Sequence, residues 1–313
     1  MSLRIDAHVH LLPEEYRAEL DRRSLLPFPL PPWSPGLLDE LMARHEIDAA
    51  VLSLSPPGVW FGDEALAVEL ARMVNERTAE LVRSNPSRFA GLAVLPLPAL
   101  EAALDEVIYA LDALDALELD GVALLSNVDG IYHGDPAWDP LWAELERRGA
   151  YAMLHPSAPP NPPPLPHHPV WLYEYPFDTT RAIVNLVYSG TLERSPSVRL
   201  QVAHLGGAAP FLAERIASLA AREPERAKLA PQGARPALAR LYYDTGLSND
   251  AAQVEATLQV APLDRIVFGT DWPYAALPPT GDPAPGLEAL GADRSRVDGG
   301  NAGALVPRLV TRP

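Results

Sequence analysis

The sequence predicts a (β/α)8 barrel, and three observations predict it. Eight short apolar runs recur along the 313 residues, patterns of helical period separate them, and polar residues cluster at their C-terminal ends. Continuous apolar runs are what parallel strands need when both faces are buried. A helix between consecutive strands makes each connection a parallel crossover. Eight such units in about 300 residues fit one barrel. A doubly wound open sheet is the alternative, and the polar strand ends favour the barrel, where they meet at one mouth.

In chain order the expected strands are RIDAHVH (4–10), AAVLSL (49–54), FAGLAVL (89–95), GVALL (121–125), YAMLHP (151–156), RLQVAHLGG (199–207), LYYDTGL (241–247) and IVFGTDWP (266–273). Helical patterns fall at 35–46, 64–85, 100–117, 138–149, 178–195, 208–222 with 235–240, and 250–260. The reading is a single barrel domain over 1–313 with two loop insertions. The first, 12–34, is a long connection after the first strand. The second, PSAPPNPPPLPHHPVWLYEYPF (156–177), is too rich in proline for a helix and too aromatic for a simple linker. Proline stiffens such a segment and lowers the entropic cost of ordering it. Both insertions are expected over the C-terminal mouth of the barrel, where binding loops lie. No repeat of roughly 20–50 residues is visible.

Composition excludes several classes of function. There are no cysteines, so disulfides, thiolate nucleophiles and cysteine-ligated zinc are ruled out. The formal charge is −16 and Lys228 is the only lysine, which disfavours nucleic acid and anionic membrane surfaces as partners. No apolar run reaches the roughly 18 residues of a membrane span. No charged segment followed by an apolar one precedes RIDAHVH, so a cytoplasmic protein is expected.

The first strand carries two imidazoles, His8 and His10, two residues apart and therefore on one face. His155 ends the fifth strand, His204 the sixth and Asp271 the eighth. Each has a plain structural reading alone: a hydrogen-bonded core histidine, or an aspartate opening a turn before Trp272-Pro273. Together they converge on one mouth, and burying four imidazoles and a carboxylate without a task is costly. A divalent metal supplies the task, since neutral imidazole and carboxylate are good zinc ligands.

The segments DAHVH, RFAGLAVLPL, HPSAPP, FDTTRAIVNLVYSGTLERSPSVRLQVAHLGGAAPFLAERI, FGTDWPY and GNAGAL resemble, in order and spacing and over nearly the whole chain, the amidohydrolase superfamily. In particular the chain resembles the amidohydrolase 2 branch of aminocarboxymuconate-semialdehyde decarboxylase and related hydroxybenzoate decarboxylases, such as those of methylsalicylate. The resemblance implies that His8, His10, His155 and Asp271 ligate one metal, usually zinc. It implies that His204 stays outside the ligand set and hydrogen-bonds the metal-bound water or the substrate; its place beside the metal suits a general acid/base, with Asp271 as a second proton carrier. Binuclear members of the superfamily carry a carboxylated lysine ending the fourth strand; here that strand reads GVALLSN, which points to one metal.

The implied reaction is a metal-dependent, non-oxidative decarboxylation of a small aromatic or enoic carboxylic acid, with no redox cofactor. The same constellation would serve a hydrolase of a lactone, amide or carbon–carbon bond, and a barrel that only binds metal is the non-catalytic alternative. The segment LLPFPLPPWSP has no arginine where the aminocarboxymuconate enzyme has arginines, and HLGG replaces its HGGG. A proline-lined, aromatic approach favours a hydroxybenzoate instead. Candidate substrate contacts are Trp33, Trp171, Trp272 and Arg181, the last equally able to form a structural ion pair. Similarity implies a homodimer.

Overall fold

The computed structural model describes residues 3–112, 117–160, 165 and 167–310. The chain runs β1 (Ile5–His10), α1 (Glu14–Arg22), α2 (Pro35–Arg44), β2 (Ala49–Ser53), α3 (Glu64–Ser84), β3 (Phe89–Val94), α4 (Leu100–Leu111) and β4 (Gly121–Leu125). A hairpin of β5 (Asn127–Val128) and β6 (Ile131–Tyr132) follows, then α5 (Asp139–Arg148), β7 (Tyr151–His155), α6 (Val170–Tyr188) and α7 (Thr191–Arg194). After β8 (Arg199–Val202) come four short helices, α8 (Ala213–Ala217), α9 (Leu219–Arg222), α10 (Pro224–Ala227) and α11 (Ala234–Arg240). The chain closes with β9 (Tyr242–Asp244), α12 (Ala251–Leu258), β10 (Ile266–Val267) and α13 (Pro307–Val310).

Eight strands form one sheet in the order β1-β2-β3-β4-β7-β8-β9-β10, each neighbouring pair parallel. The segment after β10 returns to β1: Ala7 N–H donates to Phe268 O at 2.9 Å and His10 N–H to Trp272 O at 2.8 Å. That contact closes the barrel the sequence predicts. Its interior is filled by Ile5, Val51, Leu92, Tyr151, Met153 and Val267, a packed core rather than a pore. The helices cover the outside through a second, larger apolar layer. Helix α3 shows how: Asp63 accepts from Leu66 N–H at its start, and Leu66, Leu70 and Val74 recur along its buried face.

All eight expected strands are present, several of them shorter. The run 199–207 leaves strand geometry after Val202, because His204 and Leu205 adopt φ of 56° and 50°, incompatible with a strand. The run 266–273 ends at Val267 and Asp271 has φ 63°. The insertion 12–34 contains a helix, α1, whose Tyr16 and Leu20 lie one turn apart and buried. The second insertion is not free of helix: α6 starts at Val170, directly after Pro169, and carries Pro176 within it. Proline suits a helix start, because the N–H it lacks would have no partner there. The expected helix 100–117 ends at Leu111, and 113–116 lie outside the described residues, as do 161–164 and 166 of the second insertion. The hairpin β5–β6 was not anticipated, although its turn residues Asp129-Gly130, with φ 50° and 80°, are a strong hairpin signal.

Candidate active site

His8 and His10, at the end of β1, are fully buried, with ring centroids 4.9 Å apart and Nε2 atoms 3.1 Å apart. His155, ending β7, brings its ring to 5.1 Å from His8 and 4.9 Å from His10. His204 lies in the turn after β8, its ring 5.2 Å from His8 and 5.4 Å from His155. Asp271 Oδ1 sits 2.8 Å from His10 Nε2, 3.0 Å from His8 Nε2 and 3.7 Å from His155 Nε2; its Oδ2 is 3.5 Å from His204 Nε2. The structure therefore brings all five expected groups to one point at the mouth. His8, His155, His204 and Asp271 each offer one ligand atom, all within 4.8 Å of one another, and His10 touches two of the four.

The outer ring nitrogens define the proton positions. His155 Nδ1 is 2.8 Å from Pro156 O, and a carbonyl can only accept, so Nδ1 carries the proton and Nε2 presents a lone pair to the centre. His8 Nδ1 is 2.8 Å from Asp244 Oδ1, a carboxylate placed to accept from it. The Nε2 atoms of His155 and His204 are buried without a hydrogen-bond partner among the described residues. A buried imidazole lone pair facing other acceptors is unfavourable unless a cation lies between them. These unpartnered nitrogens, with the donor set of imidazole and carboxylate, fit a divalent metal.

The electrostatics agree. Burial opposes charge on His8, but Asp244 and Asp271 outweigh it and push His8 up to about 10. The pocket stabilises positive charge at this point. Burial pushes His155 down to about 3 and lowers His10, keeping both imidazoles neutral. Asp271 is fully buried, yet the surrounding imidazoles, His8 first, hold it well below the usual carboxylate range.

The sequence reading missed the groups that hold these side chains. Asp244, ending β9, accepts from His8, from Gln201 Nε2 at 2.7 Å and from His204 N–H at 3.1 Å. One carboxylate thus orients one candidate ligand and the backbone of another group. Asp6 accepts from Thr270 Oγ1 at 2.6 Å and Thr270 N–H at 3.0 Å, tying β1 to the segment that delivers Asp271. Buried aspartates inside YYDTG and RIDAHVH were the available signals. Two phenols also border the centre: Tyr274 stacks edge-on against His10 at 5.5 Å, and Tyr175 against His155 at 6.5 Å.

His204 and Asp271 share a left-handed backbone, at roughly 1–3 kcal/mol each. Asp271 N–H donates to His8 O at 2.8 Å, which compensates in part. The glycines after His204 have a definite use. A side chain at Gly207, φ 62°, would collide with the carbonyl of Pro176, so this residue lets α6 pack against the His204 turn. A side chain at Gly246 would come within 2.8 Å of His8 Nδ1.

The candidate substrate contacts are dispersed. Arg181 pairs with Glu174 at 3.2 Å and Asp178 at 3.7 Å, the structural role anticipated for it as an alternative. Trp171 is 56% exposed, and Trp33 and Trp272 pack against the large core. Among the described residues none of the three indoles makes a ring contact with the histidines.

Residues 5–308 match the family model described as amidohydrolase. A decarboxylase of Penicillium terrestre, macB, is 33% identical over 98% of this chain and 95% of its own length. The 6-methylsalicylic acid decarboxylase of Penicillium expansum is 31% identical over 98% of this chain and 97% of its own. The 5-carboxyvanillate decarboxylase of Novosphingobium aromaticivorans, solved with manganese and 4-hydroxy-3-methoxy-5-nitrobenzoic acid, superposes with a TM-score of 0.81 at 19% identity, over 97% of this chain and 96% of that one. At that identity the likeness is one of fold.

Proposed function

The chain belongs to the amidohydrolase family, and from that premise we propose that it is a metal-dependent, non-oxidative decarboxylase of a small aromatic carboxylic acid. It is an enzyme of the carboxy-lyase type, as its relatives across the whole chain are. The observation that carries the reading is the buried group of four imidazoles and Asp271, with His155 Nε2 left unpartnered among the described residues. We assign His8, His10, His155 and Asp271 as ligands of one divalent ion, and the imidazole-rich set favours zinc. Bound there, the ion would act as a Lewis acid toward the oxygens of the substrate.

The chain's own groups supply the rest. Asp244 holds His8 in the tautomer whose Nε2 faces the centre. Asp244 also fixes the His204 turn through the backbone N–H. His204 Nε2, 3.5 Å from Asp271 Oδ2, is placed to carry a proton to the ring carbon that bears the carboxylate. That proton forms the new C–H bond. The C–C bond to the carboxylate then breaks, its electron pair restores the aromatic ring, and carbon dioxide leaves. No electrons are gained or lost overall, so no redox cofactor is needed.

A homodimer belongs to the same proposal. Phe211 is 84% exposed, and Phe177, on the helix that packs against the same turn, is 51% exposed. Light scattering in solution tests it. The reaction is tested by a panel of hydroxybenzoates and lactones, scored for carbon dioxide release against hydrolysis. Release from a hydroxybenzoate, abolished by chelation and restored by zinc, is the expected result. Hydrolysis of a lactone without carbon dioxide release overturns it.

A further inference from the structure

Asp178, on α6, is a fully buried carboxylate with no part in the reaction described above. A buried carboxylate needs donors, and side chains from the end of β4 and the β5–β6 hairpin supply them. Ser126 Oγ–H and Asn127 Nδ2–H, the latter at 2.8 Å, donate to its Oδ2, and Tyr132 O–H donates to its Oδ1 at 2.5 Å. Arg181, one turn further along α6, lies 3.7 Å from Oδ1. The carboxylate therefore ties α6 to the end of β4, the strand that pairs with β7 and its terminal His155.

Ser126 carries the connection further. Its single hydroxyl proton goes to Asp178, so its oxygen faces residue 157 as an acceptor. Ser157 Oγ, at 3.3 Å, is the weaker competitor for that proton. Ser157 N–H donates to Ser126 Oγ at 2.9 Å, and Ser126 N–H donates to His155 O at 2.8 Å. One residue thus holds the segment 155–157 at both ends. The N–H of Ser157 and the C=O of Pro156 belong to one planar peptide unit, so fixing one orients the other. Pro156 O is the acceptor 2.8 Å from His155 Nδ1. The proton of His155 has one alternative position, Nε2, with Asp271 Oδ1 3.7 Å away to receive it. Placed there, it would occupy the lone pair that faces the centre and close it to a cation.

We infer that Asp178 and Ser126 are positioning residues that set the tautomer of His155 through the Pro156–Ser157 peptide. Hydrogen bonds in series do this: hydroxyl to carboxylate, amide to hydroxyl, imidazole to carbonyl, each orienting the next. The relay rests on these distances alone; its use in metal binding rests on the assignment of His155 as a ligand. His8 has its own partner in Asp244 and stands outside the relay.

The test is heteronuclear NMR of the metal-free full chain, labelled with heavy nitrogen at histidine, in which nitrogen–proton couplings tell an Nδ1–H imidazole from an Nε2–H one. Zinc affinity is measured alongside by competition with a chelator, and His155→Gln identifies the His155 signals. Wild type should show His155 as Nδ1–H. Ser126→Ala, which removes the acceptor of Ser157 N–H, should bring His155 into exchange with the Nε2–H form. It should also weaken zinc by roughly 10–100-fold, the usual effect of losing a group that orients a ligand. Asp178→Ala should act in the same direction, and Asp178→Asn, which keeps an oxygen for Ser126, should show the wild-type pattern. Ser126→Ala decides the matter should Asp178→Ala fail to fold. An unchanged Nδ1–H signal of His155 in Ser126→Ala overturns the inference, as does loss of the His8 tautomer in the same variant, which would mark a general loosening. The ligand assignment fails by a different result: a tautomer shift of His155 in Ser126→Ala with zinc affinity unchanged.

Discussion

The two arcs of the barrel mouth are made of opposite materials. From β7 through β8, β9 and β10 to β1, the strand ends present His155, His204, Asp244, Asp271, His8 and His10, all buried and all ionisable. From β3 to β4 the corresponding positions present Val94, Leu95, Leu97 and Leu125. Both arcs belong to one sheet and face one space. In the polar arc nearly every group depends on another: Asp244 serves His8 and His204, and Asp271 serves all four imidazoles. In the aliphatic arc each side chain depends on packing alone. Loss of one group should therefore propagate through chemistry in the first arc and through stability in the second.

The largest effect is expected from the first arc. His10→Ala removes the imidazole that contacts both His8 and Asp271. Metal content should collapse and turnover with it, while the thermal midpoint of the metal-free protein changes little. Full metal occupancy measured in that variant would break the proposed ligand set.

Next comes His204→Asn, which keeps a polar side chain but cannot shuttle protons near neutral pH. Turnover should fall by ~10²–10⁴, with metal content at the wild-type level. A metal-free variant would instead place His204 among the ligands.

Asp244→Asn sharpens the same arc from outside. It should weaken metal affinity by roughly 10–100-fold, read by competition with a chelator, because His8 loses the partner that fixes its tautomer. Unchanged affinity would reduce Asp244 to a packing role.

In the aliphatic arc, Leu95→Ala should cost about 2–5 kcal/mol of stability by denaturant titration and leave metal affinity alone. A change in metal affinity would show that the two arcs are coupled.

The smallest effect concerns His133, behind the aliphatic arc, buried, with Nε2 donating to Leu125 O at 2.7 Å. Burial pushes its imidazole down to about 4 from an ordinary value near 6.5. The folded state therefore refuses a proton that the unfolded chain accepts. The stability this group permits is complete above pH ~6.5. It is lost at about 1.4 kcal/mol per pH unit between there and pH ~4, some 3 kcal/mol in total. His133→Gln, which cannot titrate, should flatten that part of the stability profile. An unchanged acid slope would mean that other groups set it.

The barrel was legible because its evidence is periodic and redundant: eight buried parallel strands leave eight apolar runs, and each helix between them confirms the next. The five converging groups were legible for a related reason. His8 and His10 share a strand, and the others sit at the ends of runs that were themselves plain. Asp244 and Asp6 escaped notice because a buried aspartate in a strand leaves no local trace of its partners. Those partners, Gln201, His204 and Thr270, come from other strands. The insertions misled where proline content was weighed above helical pattern: α6 begins immediately after Pro169 and runs through Pro176.

The sequence by itself determined the fold and the identity of the clustered groups, because strand period and composition are properties of neighbouring residues. Only the tertiary structure decided how those groups are poised. Which ring nitrogen of His155 carries the proton depends on a carbonyl beside it, and the direction in which His8 shifts depends on two carboxylates from β9 and the segment after β10. The packing of α6 against the left-handed turn at His204 depends on Gly207, which admits the carbonyl of Pro176. Each of these is a relation between residues distant in the chain, set by the three-dimensional packing that local sequence pattern does not encode.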